Sequence, residues 1–403
     1  MRVLLEMGSM ARLAIAASLR LAGDALGDYT GASLPYRADD VAQPEALSAL
    51  MNSGLVDATL GPVHIRALSR QDIPSVSSNC HNLVLSIEQE EGGQLPDSLF
   101  VKLPMESRAT RWFFCIINSW RLESHFCKHV AQNIPLRTPA TFATDYRGGR
   151  FFLVQENLNI DPAVTLFTNP DMLAGPSLEQ VHKCLDAFAR LHAEHYDLSR
   201  QEQDKILPFA NHLFLSSDMG TVSRTLNRLA LKPCMKKRPG AIPESVARAY
   251  RDSVEHWDTL LEHWFSGPLC LLHGDSHLGN FFVDGDEMGM LDWQAVHWGK
   301  GIRDVQYFLI DSLPPSVLAA NERALVDYYV RRRGHYGTAI DPEEAWQDYR
   351  GFTFHTLMTI VVSIGFGALN EDQDALMTEI LKRSVAAVQR VDYADWLQQR
   401  LAG

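Results

Sequence analysis

Residues 269–293, LCLLHGDSHLGNFFVDGDEMGMLDW, constrain the fold and the chemistry of this chain more than any other stretch. An apolar run and a polar loop precede two brief apolar strands, Phe281–Val283 and Met288–Leu291, around an Asp284-Gly285 hairpin signal. Such a unit presents three oxygen-bearing side chains at one end: Asp275, Asn280 and Asp292. Hard oxygen ligands suit Mg²⁺, which proteins usually hold through one or two groups plus substrate phosphates. The stretch therefore indicates metal-assisted phosphate chemistry.

The run His273-Gly-Asp-x-His-x-Gly-Asn280, with Asp292-Trp after the hairpin, resembles the aminoglycoside phosphotransferase and choline kinase superfamily. Its Asp-to-Asn spacing matches the protein-kinase catalytic loop H-R-D-x-x-x-x-N, with Gly274 in place of the arginine. A long lead-in to the lysine described below makes the ecdysteroid-kinase-like branch the nearest likeness. The resemblance implies an α+β, two-lobed protein-kinase-like fold, with a small antiparallel β-sheet N-lobe and a larger mainly helical C-lobe.

The same resemblance implies an ATP-dependent phosphotransferase that phosphorylates a hydroxyl of a small molecule, with ATP and Mg²⁺ as cofactors. Asp275 is then the catalytic residue that accepts the hydroxyl proton, Asn280 and Asp292 are the metal ligands, and His273 supports the loop. Further along, Asp304 matches the aspartate that braces the catalytic loop through backbone N–H groups. We expect it as an N-cap-like residue before an apolar helix.

A lysine and a glutamate are candidates for nucleotide binding. Residues 98–104 form a strand candidate that carries Lys102, and an inward-pointing lysine on such a strand can bridge the α- and β-phosphates. The spacing of apolar residues predicts one helix over Trp112–Val130, on which Glu123 lies. The resemblance pairs Lys102 with Glu123, although Glu106 is also near in sequence.

Strand candidates at Ala58–Leu68 and His81–Glu88 flank a small-residue loop, Gln71–Asn79. A kinase roof covers the nucleotide phosphates with backbone N–H groups of such a loop, which makes Ser78 and Asn79 candidate nucleotide-binding residues. The loop contains no glycine, unlike the Gly-rich loop of protein kinases.

The resemblance also places the hinge between the lobes at the end of a later strand. Gln155 would be the gatekeeper there, and the main chain of Glu156 and Leu158 would bond the adenine edge. From the residues alone this is a strand end that runs into a loop.

The chain divides into three predicted parts. Residues 1–54 form an N-terminal helical and loop extension, in which Gly23–Asp40 is rich in Gly, Asp and Pro and is expected to be a loop. Residues 55–158 form the N-lobe, with the nucleotide roof and the hinge. Residues 159–403 form the C-lobe, with the catalytic loop, the metal site and the acceptor pocket, and amphipathic helices are expected over Leu318–Leu401.

The bulk composition limits the partners. A net charge of −12 argues against nucleic acid or an anionic membrane as the main partner. No uncharged apolar stretch of about 18 residues is present, so no membrane span is expected. The six cysteines are scattered without a C-x-x-C motif, which favours buried thiols in a reducing compartment and a cytoplasmic location.

Other chemistries remain open on the residues alone. His273, Asp275, His277 and His297 could form the metal cluster of a hydrolase, although H-E-x-x-H is absent. Gly274-Asp-Ser276 resembles the start of a serine-esterase block, but no D-x-x-H follows. A nucleotide-binding pseudokinase or binding module and an aminoglycoside-type antibiotic kinase are further alternatives.

The acceptor is expected to be a neutral or lipophilic alcohol. A polycationic acceptor needs several convergent carboxylates, because each ammonium taken from water needs a partner. The late helices offer one acidic cluster, Glu371–Asp374. Their aromatic and apolar residues are core candidates, some of which could line an acceptor pocket: Trp298, Trp346, Phe352, Phe354, Met358 and Phe366.

Overall fold

A computed structural model describes residues 2–73, 80–208, 220–367 and 369–402. A five-stranded antiparallel sheet precedes a larger, mainly helical part. The sheet has the order β1-β2-β3-β5-β4. Its strands are β1 (Ile65–Ile73), β2 (Cys80–Gln89), β3 (Ser98–Pro104), β4 (Thr141–Arg147) and β5 (Arg150–Glu156). This is the small antiparallel lobe that the sequence predicted.

The strand predicted over His81–Glu88 is confirmed as β2, in which the alternate residues Leu83 and Leu85 are fully buried on one face. The expected strand over Ala58–Leu68 is wrong at its start. Residues Ala58–Leu60 form a short 3₁₀ turn capped by the Asp57 side chain, and the strand begins at Ile65. The predicted phosphate-covering residues Ser78 and Asn79 lie outside the described residues.

The single helix predicted over Trp112–Val130 is two helices, α3 (Arg108–Ile117) and α4 (Ser119–His129). The break is at Asn118, whose φ of 56° is left-handed. Asparagine tolerates this conformation because its short side chain can bond locally, so the chain can turn there without a glycine. The second helix packs on β4 and carries Glu123 toward the sheet.

The N-terminal extension contains α1 (Arg2–Thr30) and α2 (Pro44–Gly54). The prediction of a loop over Gly23–Asp40 is therefore wrong for residues 23–30, which belong to α1. Glycine costs about 1 kcal/mol in a helix, but packing of a helix face can outweigh that propensity. Here α1 packs on α3 and buries Ala17 and Asp24 against the small lobe.

The larger part is built from helices, as the sequence predicted, with two small sheets. The strands β6 (Val164–Leu166), β8 (Phe281–Asp284) and β9 (Glu287–Met290) form one sheet, and β7 (Cys270–Leu272) pairs with β10 (His297–Gly299). The helices before β7 are α5 (Asn169–Ala174), α6 (Leu178–Glu194), α7 (Arg200–Ile206), α8 (Gly220–Lys237), α9 (Glu244–Glu255) and α10 (Trp257–Phe265). The later helices are α11 (Ile302–Ser312), α12 (Pro315–His335), α13 (Pro342–Phe366), α14 (Glu371–Arg390) and α15 (Tyr393–Ala402).

Helix α11 is the centre of the larger lobe, since every one of its residues is buried. It packs against α6, α12, α13 and α14 and lies behind the loop between β7 and β8. The two-lobed α+β protein-kinase-like architecture is thus confirmed. None of the helices in the described ranges combines the length and apolar character that a membrane crossing requires.

Candidate active site

The loop from His273 to Asn280 joins β7 to β8, and α11 holds its first two residues. The carboxylate of Asp304 accepts hydrogen bonds from the backbone N–H of His273 at 2.7 Å and of Gly274 at 3.1 Å. The expectation that Asp304 is an N-cap is wrong, because it lies inside α11, which begins at Ile302. From that position it satisfies two buried backbone donors that the loop itself leaves unpaired.

Asp304 is fully buried and ionised. Burial alone would raise the pKa of its carboxyl, but the hydrogen bond and charge of His192 and the charge of Arg303 outweigh that effect and hold the pKa well below its usual range. The His192 Nε2 lies 3.3 Å from the carboxylate, and the guanidinium of Arg303 also donates to the Gly274 carbonyl at 2.9 Å. A charged, hydrogen-bonded network therefore fixes the start of the loop.

The imidazole of His273 lies between the loop and the end of the hairpin. Its Nε2 donates to the carbonyl of Leu291 at 2.9 Å, and its Nδ1 accepts the backbone N–H of Asp275 at 3.3 Å. Burial lowers the pKa of His273, which favours the neutral ring that this pattern requires. Because both ring nitrogens are engaged in the loop, His273 connects the Asp275 backbone to the hairpin.

Gly274 is required by geometry at the position where protein kinases have arginine. Its φ is +88°, and a Cβ there would lie 2.1 Å from the carbonyl oxygen of Ala295. Only glycine fits such a backbone approach.

The side chain of Asp275 is partly open to solvent, at 29% exposure. Tyr307 from α11 donates its hydroxyl to Asp275 Oδ1 at 3.4 Å, and the His277 ring lies 3.8 Å from Oδ2. These contacts leave a carboxylate edge facing outward with a fixed backbone beneath it. Such a group can accept a proton from a hydroxyl brought within hydrogen-bond reach.

The hairpin brings Asn280 and Asp292 together. The backbone N–H of Leu291 donates to the Asn280 carbonyl at 3.0 Å, which places Asp292 immediately beyond the paired strands. The Asn280 Nδ2 donates to the backbone carbonyl of Asp275 at 2.7 Å, so Oδ1 is the amide atom left for a ligand. An amide oxygen and a carboxylate from neighbouring positions fit the few protein ligands that Mg²⁺ takes.

Lys102 joins this group from the other lobe. Its Nζ lies 2.8 and 2.9 Å from the two oxygens of Glu123 and 3.0 Å from Asp292 Oδ1. Burial would lower the pKa of Lys102, but the charges of Asp292 and Glu123 raise it well above its usual value, so the ammonium stays charged. Glu106, the other carboxylate considered in the sequence, is exposed. One cation and two carboxylates therefore meet where the lobes face each other.

The predicted hinge residues lie at the end of β5, the strand next to β3 and its Lys102. Gln155 and Glu156 end β5, in which Leu153 pairs with Lys102 of β3. The Gln155 amide donates to Thr141 at 3.0 Å. The Glu156 carboxylate accepts from Arg137 at 2.7 Å and from the Ala140 backbone at 3.0 Å, so its side chain supports the strand end.

Leu158 follows in a short 3₁₀ turn and is buried. The adjacent Asn157 donates to Ser98 at 2.9 Å, which fixes the turn to the start of β3. The predicted hinge thus lies at the end of β5, the strand that pairs with β3 and its Lys102.

The arrangement does not favour the hydrolase alternative. His273 is fully used by the loop, and the Nδ1 of His297 contacts the carbonyl of Ala295 at 2.9 Å. Within the ranges that the structure describes, no three His, Cys, Asp or Glu side chains come together as a metal site.

A family model described as the phosphotransferase enzyme family, APH, matches residues 108–335, more than half of the chain. The chain belongs to this family. It is therefore a small-molecule kinase that uses a hydroxyl acceptor, and the expected class of enzyme is confirmed. Use of ATP, typically with a divalent metal, follows from the same family. The narrower likeness to the ecdysteroid-kinase-like branch stays a prediction.

A search of curated protein sequences finds no match for this phosphotransferase. Among solved structures, a choline/ethanolamine kinase family protein from Mesorhizobium loti matches with a TM-score of 0.49 and 16% identity, over 83% of this chain and 93% of that one. An ethanolamine kinase from Plasmodium vivax matches with a TM-score of 0.49 and 13% identity, over 78% and 82%. An aminoglycoside phosphotransferase from Alicyclobacillus acidocaldarius matches with a TM-score of 0.45 and 12% identity, over 82% and 92%.

Sequence reasoning missed several side chains around the phosphotransferase site. Tyr307 and Asp311 were missed, although they follow the predicted Asp304 by three and seven residues and so share its face of α11. Arg303 and His192 were also missed, although a charged residue beside the expected Asp304 was a visible signal. Polar residues at helical spacing in an otherwise apolar helix would have indicated that this face supports the site.

Proposed function

We propose that this phosphotransferase transfers the terminal phosphate of ATP, as its Mg²⁺ complex, to the hydroxyl of a neutral or lipophilic alcohol. The observation that carries the proposal is the meeting of Lys102, Glu123 and Asp292 from three separate elements, with Asn280 and Asp275 beside them. In this proposal residues 55–158 form the nucleotide-binding lobe, and residues 159–403 supply the catalytic loop and the acceptor pocket.

The roles of Lys102, Glu123, Asp275, Asn280 and Asp292 are supported by their contacts, and the other roles follow from the family resemblance. Lys102, oriented by Glu123, binds the nucleotide phosphates, while Ser78 and Asn79 cover them and the chain from Gln155 to Leu158 binds the base. Asn280 and Asp292 hold the metal ion, which supplies neutralisation of phosphate charge when bound. Asp275 orients the acceptor hydroxyl and takes its proton. Catalysis is then mainly positioning and charge stabilisation.

The neutral character of the acceptor is supported by the late acidic cluster. Glu371 and Asp372 are exposed and Asp374 is partly buried at the first turn of α14, where Asn370 caps the helix and Asp374 pairs with Arg238. Carboxylates at a helix N-terminus are stabilising there, which accounts for the cluster without a ligand.

The aromatic residues do not argue strongly for an open apolar pocket. Trp298, Phe352, Phe354 and Met358 are buried in the core, and Trp346 stacks on Tyr349. Phe352 and Arg303 line a small cavity that has only about 10 Å³ of free space. The acceptor class therefore rests on charge more than on a preformed cavity.

A second candidate is an alcohol that carries one amino group. Asp311 is buried in α11, and its Oδ1 has no hydrogen-bond partner among the described residues. It is close enough to Asp275 for that charge to act on its pKa. One additional carboxylate suits one ammonium, whereas a polycation needs several.

A side-by-side assay tests these candidates. Lipophilic alcohols such as sterols and terpenoids, simple amino alcohols and kanamycin-type aminoglycosides are each incubated with Mg·ATP, and the phosphorylated product is measured by mass. We expect saturable transfer to lipophilic alcohols and none in Asp275→Asn. Saturable transfer to the aminoglycosides alone contradicts the proposal, and transfer to the amino alcohols alone supports the second candidate.

A further inference from the structure

The N-terminal helix α1 contacts both lobes. It packs along α3 of the small lobe and also contacts α8 of the larger one. Three charged side chains of this helix, Arg20, Asp24 and Asp28, contact the small lobe. Nothing in the proposed chemistry uses them, so their contacts raise the question of what α1 holds in place.

Arg20 contacts the joint between α3 and α4. One guanidinium nitrogen, Nη1, donates to the Cys115 carbonyl at 2.9 Å and to the Asn118 side-chain oxygen at 2.9 Å. Cys115 lies in the last turn of α3, where carbonyls lack partners within the helix and a positive charge is favourable. Asn118 is the left-handed residue at which the chain turns into α4. Arg20 therefore fixes both sides of the turn.

The two aspartates attach α1 to the hairpin between β4 and β5. Asp24 accepts from the backbone N–H of Gly149 at 3.2 Å, and it is buried. Asp28 accepts from both terminal nitrogens of Arg150, at 2.7 and 2.6 Å, in a bidentate pair. These bonds hold α1 against the sheet, so that Arg20 reaches the joint from a fixed base.

The joint sets the position of Glu123. The first hydrogen bond of α4 runs from the N–H of Leu122 to the Asn118 carbonyl at 2.9 Å, and Glu123 is the next residue. The Glu123 carboxylate accepts a hydrogen bond from Lys102 Nζ at 2.8 Å, so the position of α4 decides whether this pair can form. Ser124 also bonds Thr144 of β4 at 2.9 Å, so the sheet and α1 hold α4 from two sides.

We propose that α1 is a positioning element for nucleotide binding: Arg20 fixes the α3–α4 joint and thereby holds Glu123 against Lys102. The inference rests on the proposed role of the Lys102–Glu123 pair. It gives the N-terminal extension a function in this phosphotransferase, and Arg20 acts through Glu123 without touching the nucleotide.

The test compares arginine variants of the full chain. Arg20→Met keeps the aliphatic stem and removes both bonds, and we expect the dissociation constant of Mg·AMP-PNP to rise about tenfold, as for loss of charge-assisted hydrogen bonds. Arg20→Lys should restore wild-type affinity, because a single nitrogen makes both bonds in the structure. Arg70→Met is the matched control. Arg70 also joins the extension to the sheet, because it pairs with Asp39 at 2.6 Å, but it lies in β1 and does not contact the α3–α4 joint. The nucleotide affinity of Arg70→Met should therefore equal that of the wild type.

Thermal denaturation of each variant separates loss of fold from loss of affinity, with binding measured well below each Tm. Wild-type affinity in folded Arg20→Met, or an equal loss in Arg70→Met, overturns the inference. A double-mutant cycle with Glu123→Gln distinguishes it from the proposed function. If Glu123→Gln alone binds the nucleotide normally, the role of the pair fails. If Glu123→Gln weakens binding and adding Arg20→Met to it weakens binding tenfold further, the Lys102–Glu123 pair does bind the nucleotide. The inference that Arg20 acts through Glu123 is then refuted.

Discussion

The Glu123→Gln substitution tests the ion pair at the centre of the site. Gln keeps the shape of the side chain and removes its charge. Lys102 then loses a partner at 2.8 Å and keeps Asp292 at 3.0 Å. Lys102 is 7% exposed and Glu123 is 2% exposed, so water cannot replace the lost carboxylate.

Removal of one partner from a buried ion pair costs about 3–5 kcal/mol. The charge of Asp292 remains, so we expect the lower end, about 3 kcal/mol of folding free energy. In the variant, the remaining carboxylate partner of Lys102 is Asp292, the proposed metal ligand. The ammonium would then be drawn toward Asp292 and away from the position in which it binds the nucleotide phosphates. A loss of about 3 kcal/mol in transition-state binding corresponds to about a hundredfold in kcat/KM.

Denaturant unfolding and steady-state kinetics with varied Mg·ATP measure the two effects. Glu106→Gln is the matched control, because Glu106 is exposed and should change stability by no more than about 0.5 kcal/mol. If Glu123→Gln behaves like this control in both assays, the pair neither stabilises the fold nor orients Lys102, and the reasoning is refuted.

Three further substitutions test the loop and its support. Asp275→Asn should lower turnover by about 10²–10⁴ while leaving Mg·AMP-PNP affinity unchanged, and steady-state kinetics with a true acceptor would show full activity if the assignment is wrong. Gly274→Ala should destabilise the chain strongly in denaturant unfolding, because its Cβ would lie 2.1 Å from the Ala295 carbonyl oxygen; wild-type stability would contradict this close approach of the two backbone segments. Burial raises the pKa of Asp311 from 3.8 to about 6, so the folded state binds a proton that the unfolded state releases and stability falls between about pH 4 and 6. Asp311→Asn removes that penalty and should stabilise the fold by about 3 kcal/mol at pH 8 and by almost nothing near pH 3.5; equal effects at both pH values would contradict the shift.

The local sequence was sufficient to predict those parts of the site whose geometry is set by residue spacing along the chain. The catalytic loop, the hairpin and Asp292 lie within 25 residues, so their relation could be predicted from the run of residue types. The family resemblance supplied the pairing of Lys102 with Glu123, which are 21 residues apart and meet in the structure. Spacing alone did not distinguish Glu123 from Glu106.

Tertiary contacts decided what the sequence could not. The helical pattern continues through Asn118, and nothing local shows that the chain turns there. Gly23 and Gly27 favour a loop, but α1 continues to Thr30 because it packs against the small lobe. The contact between Arg20 and Asn118 joins residues 98 positions apart, and no local pattern predicts such a pair.

The account depends most on a nucleotide–metal site at Asp292. Asparagine tolerates the left-handed φ of 64° at this position and Lys102 keeps Glu123 at 2.8 Å, so Asp292→Asn should lose stability but still fold. Titration of AMP-PNP into wild type and variant, with and without Mg²⁺, measures the metal dependence of binding directly. Asp286→Asn is the control, because Asp286 lies exposed in the same hairpin. We predict strong Mg²⁺ dependence in wild type and control and its loss in Asp292→Asn; unchanged Mg²⁺ dependence in Asp292→Asn would contradict the account.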